Sequence, residues 1–310
     1  LGIKIYYRRE KMRKFFVLLF LILLNKTSFA LYSPRSPVGA SAMGVGEAWT
    51  GEASDIWSSW WNPAGLAQIK DQRFALMHQE IMGMNVPFDF FGYAKGAPNK
   101  SETYGIFISR LDYGKELEYN WVEDFIYFSY AKKQDENLSY GGNLKYLRTR
   151  TRGEGGPLTG SGYGIDLGIL YKIEEGLKCG LMARNIFTTV NYSTGISERL
   201  PVSLSLGVSY RPDPISLILL DFEGEKDIDS EIEPSWGIHF GYERWVDETI
   251  ALRCGYLYKK NGEKSDYEKR FTLGLGLRLG PWDIDYAYNP TKSIEGVEDA
   301  HRLSVVFKLK

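Results

Sequence analysis

Residues Pro201-Val202-Ser203-Leu204-Ser205-Leu206-Gly207-Val208-Ser209-Tyr210-Arg211 alternate strictly, with Val202, Leu204, Leu206, Val208 and Tyr210 interleaved by serine, glycine and arginine. Successive side chains of an extended strand point to opposite faces, so one face of this stretch is wholly apolar and the other small or polar. A soluble sandwich strand also reads this way. Recurrence decides between them: the rhythm returns in fourteen stretches, with aromatic residues at their ends. That is the pattern of an all-β protein, a transmembrane antiparallel up-and-down β-barrel of about 14 strands whose outer face meets lipid.

The strands are expected near residues 73–80, 87–96, 103–112, 124–132, 138–148, 162–172, 177–186, 201–210, 215–224, 234–245, 249–259, 270–280, 282–288 and 301–310. Those at 124–132 and 215–224 alternate poorly. The connections sort by length. Short ones fall at 97–102, 133–137, 173–176, 211–214, 246–248 and Pro281. Between them lie longer ones at 113–123, 149–161, 187–200, 225–233, 260–269 and 289–300, with 81–86 short for its class. Outer-membrane barrels alternate short periplasmic turns with longer external loops in this way. A sandwich has no reason to.

Composition narrows the function classes. Mean hydropathy is slightly negative, which excludes a bundle of membrane helices but not a barrel, where only alternate residues meet lipid. The formal net charge is -1, with both signs mixed along the chain, so no basic stripe exists to track nucleic acid. His78, His239 and His301 lack metal-ligand spacing and read as lumen or interface residues. No nucleophile with a base is visible, so neither an enzyme nor a cofactor is expected. Cys179 and Cys254 fall on the apolar faces of separate strands and are expected to stay unpaired.

The chain's start reads as an export signal. Met12-Arg13-Lys14 precedes the apolar run Phe15–Leu24, and Ser28-Phe29-Ala30 closes it with small residues. The run is too short to cross a bilayer as a helix, which needs about 20 residues. The expected organisation is an extension and signal over 1–30, a lumenal plug segment over 31–70 and a barrel over 71–310, placed in the bacterial outer membrane.

Residues 31–70 lack the strand rhythm. Val45–Thr50 and Ser54–Trp60 are expected as short helical turns, and Asn62-Pro63-Ala64-Gly65 as a tight turn. Meanwhile Asn143, Lys145, Asp166, Ser203, His239, Glu243, Arg253, Arg278, Asp283 and Asp285 occupy the polar faces of their strands. An Arg or Lys facing mid-bilayer lipid costs about 2–4 kcal/mol, so these residues are expected to face the lumen. Many other inward positions are glycine, among them Gly141, Gly168, Gly207, Gly241, Gly255 and Gly274. Small inward residues leave room for a plug, expected to use Gly39, Gly44, Gly46, Trp61, Asn62, Pro63, Ala64 and Gly65. The run Arg148-Thr149-Arg150-Thr151-Arg152, at an external strand end, reads either as solvated surface or as a contact for anionic lipid headgroups or a cargo protein.

The ordered set of motifs resembles a known family. Gly39-Ala40-Ser41-Ala42-Met43-Gly44-Val45-Gly46-Glu47-Ala48 followed by Trp60-Trp61-Asn62-Pro63-Ala64-Gly65-Leu66-Ala67 is similar to the N-terminal signature of PorV/PorQ proteins and, more distantly, of FadL-type long-chain fatty-acid transporters. Further stretches at Gly142–Leu147, Ala183–Ile186, Leu206–Tyr210, Leu252–Tyr256, Phe271–Leu277 and His301–Ser304 look like internal PorV-type motifs. The resemblance implies a fourteen-stranded barrel with its N-terminal segment in the lumen. It implies a part in protein export or surface attachment of the type IX kind, or alternatively a channel for hydrophobic molecules such as long-chain fatty acids. Expected partners are outer-membrane lipid and lipopolysaccharide, with secretion-system or cargo proteins, or a hydrophobic small-molecule ligand. The chain departs from the pattern in lacking a terminal aromatic after Phe307, and its loops are compact for a secretion shuttle.

Overall fold

The computed structural model describes residues 36–81, 86–97, 101–114, 120–152, 156–231, 233–262, 267–289 and 300–309. The signal expected over 1–30, residues 31–35, most of the connection expected at 81–86 and Lys310 lie outside them.

Fourteen long strands form the wall: β1 (Gln72–Ile81), β2 (Val86–Gly96), β3 (Glu102–Asp112), β4 (Asn120–Lys133), β5 (Leu138–Arg152), β6 (Leu158–Glu174), β7 (Leu177–Tyr192), β9 (Val202–Asp213), β10 (Ser216–Lys226), β11 (Ser235–Trp245), β12 (Ile250–Lys260), β13 (Tyr267–Leu279), β14 (Trp282–Asn289) and β15 (Ala300–Leu309). Each pairs antiparallel with its neighbour in the wall, and β1 pairs with β15, so the sheet closes on itself without an edge. The fifteenth strand, β8 (Ser197–Glu198), is a two-residue addition paired with Val190 and Asn191 beyond the wall proper. The poorly alternating stretches are genuine strands, β4 and β10.

Alternation becomes two faces. On β6, Tyr163, Ile165, Leu167, Ile169 and Tyr171 are exposed while Asp166 between them is buried. From Tyr163 to Tyr171 the strand climbs roughly 20 Å along the barrel axis, at about 3.3 Å per residue and a tilt near 40°. Ring pairs mark both rims of the belt: Phe74–Tyr93 and Tyr104–Tyr130 on the short-turn side, Tyr146–Tyr163 and Trp236–Tyr258 on the other. An amphipathic ring suits the headgroup level. Cys179 and Cys254 are free on the outer face. His239 is buried inside, whereas His78 and His301 stand on the outer face toward the long-loop rim.

Loop lengths sort less steeply than expected. Two-residue links such as Glu175-Gly176 and Pro214-Ile215 do lie on one side. On the other, pairing runs past the apolar belt, to Thr151 opposite Leu158 and Gly160 opposite Tyr192, which shortens the loops expected at 149–161 and 187–200. Polar side chains end the contact with lipid there without interrupting main-chain hydrogen bonds.

Residues 36–71 lie inside the wall, almost wholly buried. They form α1 (Ala40–Gly44), α2 (Ser58–Trp61) and a 3-10 turn over Pro63–Gln68. The expected helical turn at Val45–Thr50 is not formed; the helix precedes it, because Gly46 takes a positive φ of 69° and ends the run. The Asn-Pro-Ala-Gly tetrad opens the 3-10 turn, with Asn62 Oδ1 accepting from Ala64 N at 3.2 Å and proline at the first turn, where its missing N–H costs nothing.

Candidate functional site: the interior segment and the wall around it

The interior segment is held by contacts around most of the wall. Gly46 N donates to Thr272 Oγ1 of β13 at 2.9 Å, and Gly46 O meets His239 Nδ1 of β11 at 3.0 Å. Thr50 N donates to Asp221 Oδ2 of β10 at 2.7 Å. Asn62 Nδ2 reaches both Thr50 O and Ile169 O of β6, each at 3.0 Å. Asn143 Nδ2 of β5 donates to Ser59 O at 2.7 Å. Arg184 of β7 donates to Trp60 O and lays its guanidinium 3.7 Å from the centre of the Trp60 ring.

The inward glycines are where this segment presses on the wall. A Cβ at Gly141 would stand 2.6 Å from the Pro63 carbonyl carbon, one at Gly241 2.7 Å from Val45 Cβ, and one at Gly274 2.9 Å from Gly44 Cα. Gly168, Gly180, Gly207 and Gly255 meet Asn62, Thr50, Gly51 and Gly46 in the same way. The room expected from these small residues is therefore filled by the chain's own front segment.

Two carboxylates on this segment differ in environment. Glu52 is buried, with Lys178 Nζ at 2.8 Å and Arg211 Nη2 at 2.7 Å. Burial alone would raise its pKa, but these two cations overcompensate and hold it at about 2. Asp55 has no such partner within ion-pairing distance among the described residues; it accepts from Trp57 N at 3.0 Å and Trp49 Nε1 at 3.3 Å. Burial pushes its carboxyl up to about 7.

Of the ten residues expected on the lumen side, eight fall in three groups on the inner face, while Ser203 and His239 are buried apart from them. Lys145, Asp166 and Asn143 form a buried cluster on β5 and β6, with Lys145 Nζ bonded to Asp166 and to Asn185 and with Asn185 N donating to Asp166 Oδ1 at 2.8 Å. Asn185 sits in a wall irregularity between β6 and β7, at φ 57°. Glu243, Arg253 and Asp285 form a second cluster, the guanidinium bridging both carboxylates at 2.7 and 2.6 Å. Arg278 and Asp283 pair at 3.5 Å at the short-turn mouth, where Arg278 is half exposed over the Trp245 ring.

Below the segment, at that mouth, opens a cavity of about 730 Å³ reached by Trp49, Asp55, Trp57, Arg253 and Asp285. Above it, the inner wall of β2–β5 carries an apolar patch of Phe88, Phe90, Phe107, Leu111, Phe125 and Leu147, all buried and bordered by Ser109, Glu123 and Thr149. The opposite wall on the same side is polar, with Asp221, His239, Arg302 and Asn289. Trp57 touches both the cavity and the apolar patch, lining the first and standing 5.7 Å from Phe90 between ring centres. Sequence reasoning missed this apolar patch, together with Glu52, Lys178, Arg184 and Arg211. Its one visible trace was the broken alternation of β4, where Phe125 and Tyr127 turn inward.

No family model and no curated relative matches the chain. Solved structures do. The chain is similar to the CymD monoaromatic hydrocarbon channel, at 15% identity and a TM-score of 0.71 over 88% of this chain and 97% of that one. It is similar to the Ralstonia pickettii toluene transporter TbuX, at 12% identity and a TM-score of 0.66 over 88% and 98%. A Pseudomonas aeruginosa FadL homologue matches at 12% identity and a TM-score of 0.62 over the same shares. The PorV/PorQ resemblance and the type IX reading find no support in these comparisons. The fold is that of the FadL-type barrels.

Proposed function

We propose that this protein is an outer-membrane channel for small hydrophobic molecules and that residues 36–71 are its plug. The observation that carries the reading is the apolar patch on the inner wall of β2–β5, joined through Trp57 to a cavity at the opposite mouth. A channel for ions or sugars needs a polar lining throughout; a greasy solute needs an apolar track on at least one side. The FadL-type fold supports the same reading, since its solved neighbours include hydrocarbon channels. The segment lies tight against the glycines of β5–β7, β9 and β11–β13, so passage along that side requires it to move. Expression in cells lacking their own long-chain fatty-acid transporter should restore uptake of labelled oleate or toluene. Uptake no greater than with empty vector overturns the proposal.

A further inference from the structure

The outer face of β1–β6 ends its apolar belt at one charged row. Followed strand to strand by register, His78 faces Asp89, Asp89 faces Arg110, Arg110 faces Asp124, and Asp124 faces Arg148. One outward position nearer the short turns, the row reads Leu76, Phe91, Ile108, Ile126, Tyr146 and Tyr163. Because register rows run obliquely across a tilted barrel wall, the row climbs as it crosses from strand to strand. On β5, Arg148 stands roughly 20 Å above Tyr140 along the barrel axis, close to the height of the apolar band. Arginines at that level stand beside lipid headgroups.

Their arrangement is specific. His78 and Asp89 satisfy one another at 2.7 Å. Asp124 then holds two guanidiniums, Arg150 Nη2 at 2.9 Å and Arg110 Nη1 at 3.7 Å, and leaves each side chain about half exposed. Arg110 also approaches Asp112 at 3.5 Å. Arg148 is exposed, directly across from Asp124, and makes no ion pair or hydrogen bond through its guanidinium among the described residues. Three arginines thus stand among Asp89, Asp112 and Asp124, and the exposed Arg148 is the cation left facing outward without an ion pair among the described residues. The planar fork of arginine matches phosphate oxygens two at a time, which a lysine cannot do.

We propose that Arg110, Arg148 and Arg150 dock the phosphate groups of a phosphorylated glycolipid in the outer leaflet. Its acyl chains would lie along Ile108, Ile126 and the Tyr146–Tyr163 ring pair just below. The inference rests on the barrel's orientation, with its longer loops outside, and not on what the lumen carries.

The test uses the full chain purified in detergent and titrated with bis-phosphorylated lipid A, with its dephosphorylated form, and with phosphatidylglycerol, bound lipid being read by native mass spectrometry. The wild-type protein should retain lipid A well above both other lipids. The R110Q/R148Q/R150Q variant should retain roughly fivefold less or worse, as expected for lost bidentate contacts, while K260Q/K269Q on the opposite face retains it normally. Arg148→Gln alone removes no internal pair, so it should weaken retention without disturbing the heat-modifiable barrel band. It decides the matter if the triple variant does not fold. Retention unchanged by these variants, or equal for phosphorylated and phosphate-free lipid A, overturns the proposal. Solute uptake should stay at the wild-type level in every variant, which separates this outcome from failure of the channel reading.

Discussion

The ring of Trp57 lies 5.7 Å from that of Phe90, centre to centre, and Phe90 in turn lies 6.0 Å from Phe107. Through this contact the interior segment touches the apolar wall on one side while Trp57 closes the cavity on the other. Trp57 also packs its ring against Gly39, whose φ of 85° lets the chain pass without a side chain in the way.

Removing that ring should therefore open the barrel more than it unfolds it. Trp57→Ala is expected to raise single-channel conductance in planar bilayers well above a nearly closed wild type, and to cost about 3–5 kcal/mol of packing in the interior segment. Trp60→Ala removes a ring held under Arg184 and remote from the cavity lining, and serves as the comparison. Equal conductance for the two variants would remove Trp57 from the path.

The glycine seats predict a separable failure. Gly255→Val or Gly207→Val puts side-chain atoms where the backbone of Gly46 or Gly51 now lies, so the segment cannot dock, while the wall's own pairing is untouched. The barrel should still run as a folded, heat-modifiable band. Residues 36–71 should become cleavable by added protease, as they are not in the wild type. Loss of the folded band itself would mean the wall needs its plug.

Much of this was legible beforehand, for a physical reason. Lipid allows no polar side chain on the outer face at mid-depth, so β6 and β9 had to alternate, and their strands could be read directly. The rule weakens where the interior is apolar too. Phe125 and Tyr127 on β4, and Leu217 and Leu219 on β10, face inward and are buried, so both faces are greasy and the rhythm blurs. The hold on the interior segment was not legible at all. Glu52 meets Lys178 and Arg211 across more than a hundred residues of sequence, and no local spacing announces such a pairing.

Charge on the segment makes docking depend on pH in two opposite ways. The docked Glu52 carboxyl, at about 2, lies below its ordinary 4.5, so its contribution is present above pH 4.5 and lost as pH falls toward 2. Asp55, at about 7, lies above its ordinary 3.8; the docked state holds its proton, so its contribution is full below pH 3.8 and lost as pH rises through 7. Arg73 on β1 opposes that shift, while Asp285 on β14 reinforces it. Conductance should therefore be lowest at about pH 4, rise as pH climbs toward 7 and level off above it. Asp55→Asn should flatten the rise between about pH 4 and 7 and keep the rise in acid. A profile unchanged by that substitution would rule out Asp55 as the group that titrates.

Glu52→Gln isolates the other arm. It leaves Lys178 and Arg211 facing a neutral amide inside the wall, where an uncompensated buried charge is costly. Both cations keep some contact with solvent, at 18% and 34% exposure, so the loss should be about 1–3 kcal/mol rather than the larger figure for a sealed pair. Protease release of residues 36–71 and a fall in unfolding midpoint should appear together at neutral pH, and acid should add nothing further.

The lipid-facing belt can be tested by depth. Leu206 is exposed midway along β9, flanked by Leu181 and Phe222 on the neighbouring strands. Leu279 is exposed at the short-turn end of β13. If the outer face meets hydrocarbon, Leu206→Arg should cost about 2–4 kcal/mol and Leu279→Arg about 0–1, because snorkelling to the interface is open only to the second. Reversible unfolding in urea from lipid vesicles measures both. In water the two positions would be equivalent exposed leucines, and arginine would be tolerated at each. A difference smaller than the measurement error would place this face in an aqueous setting and with it undo the whole outward reading of β9.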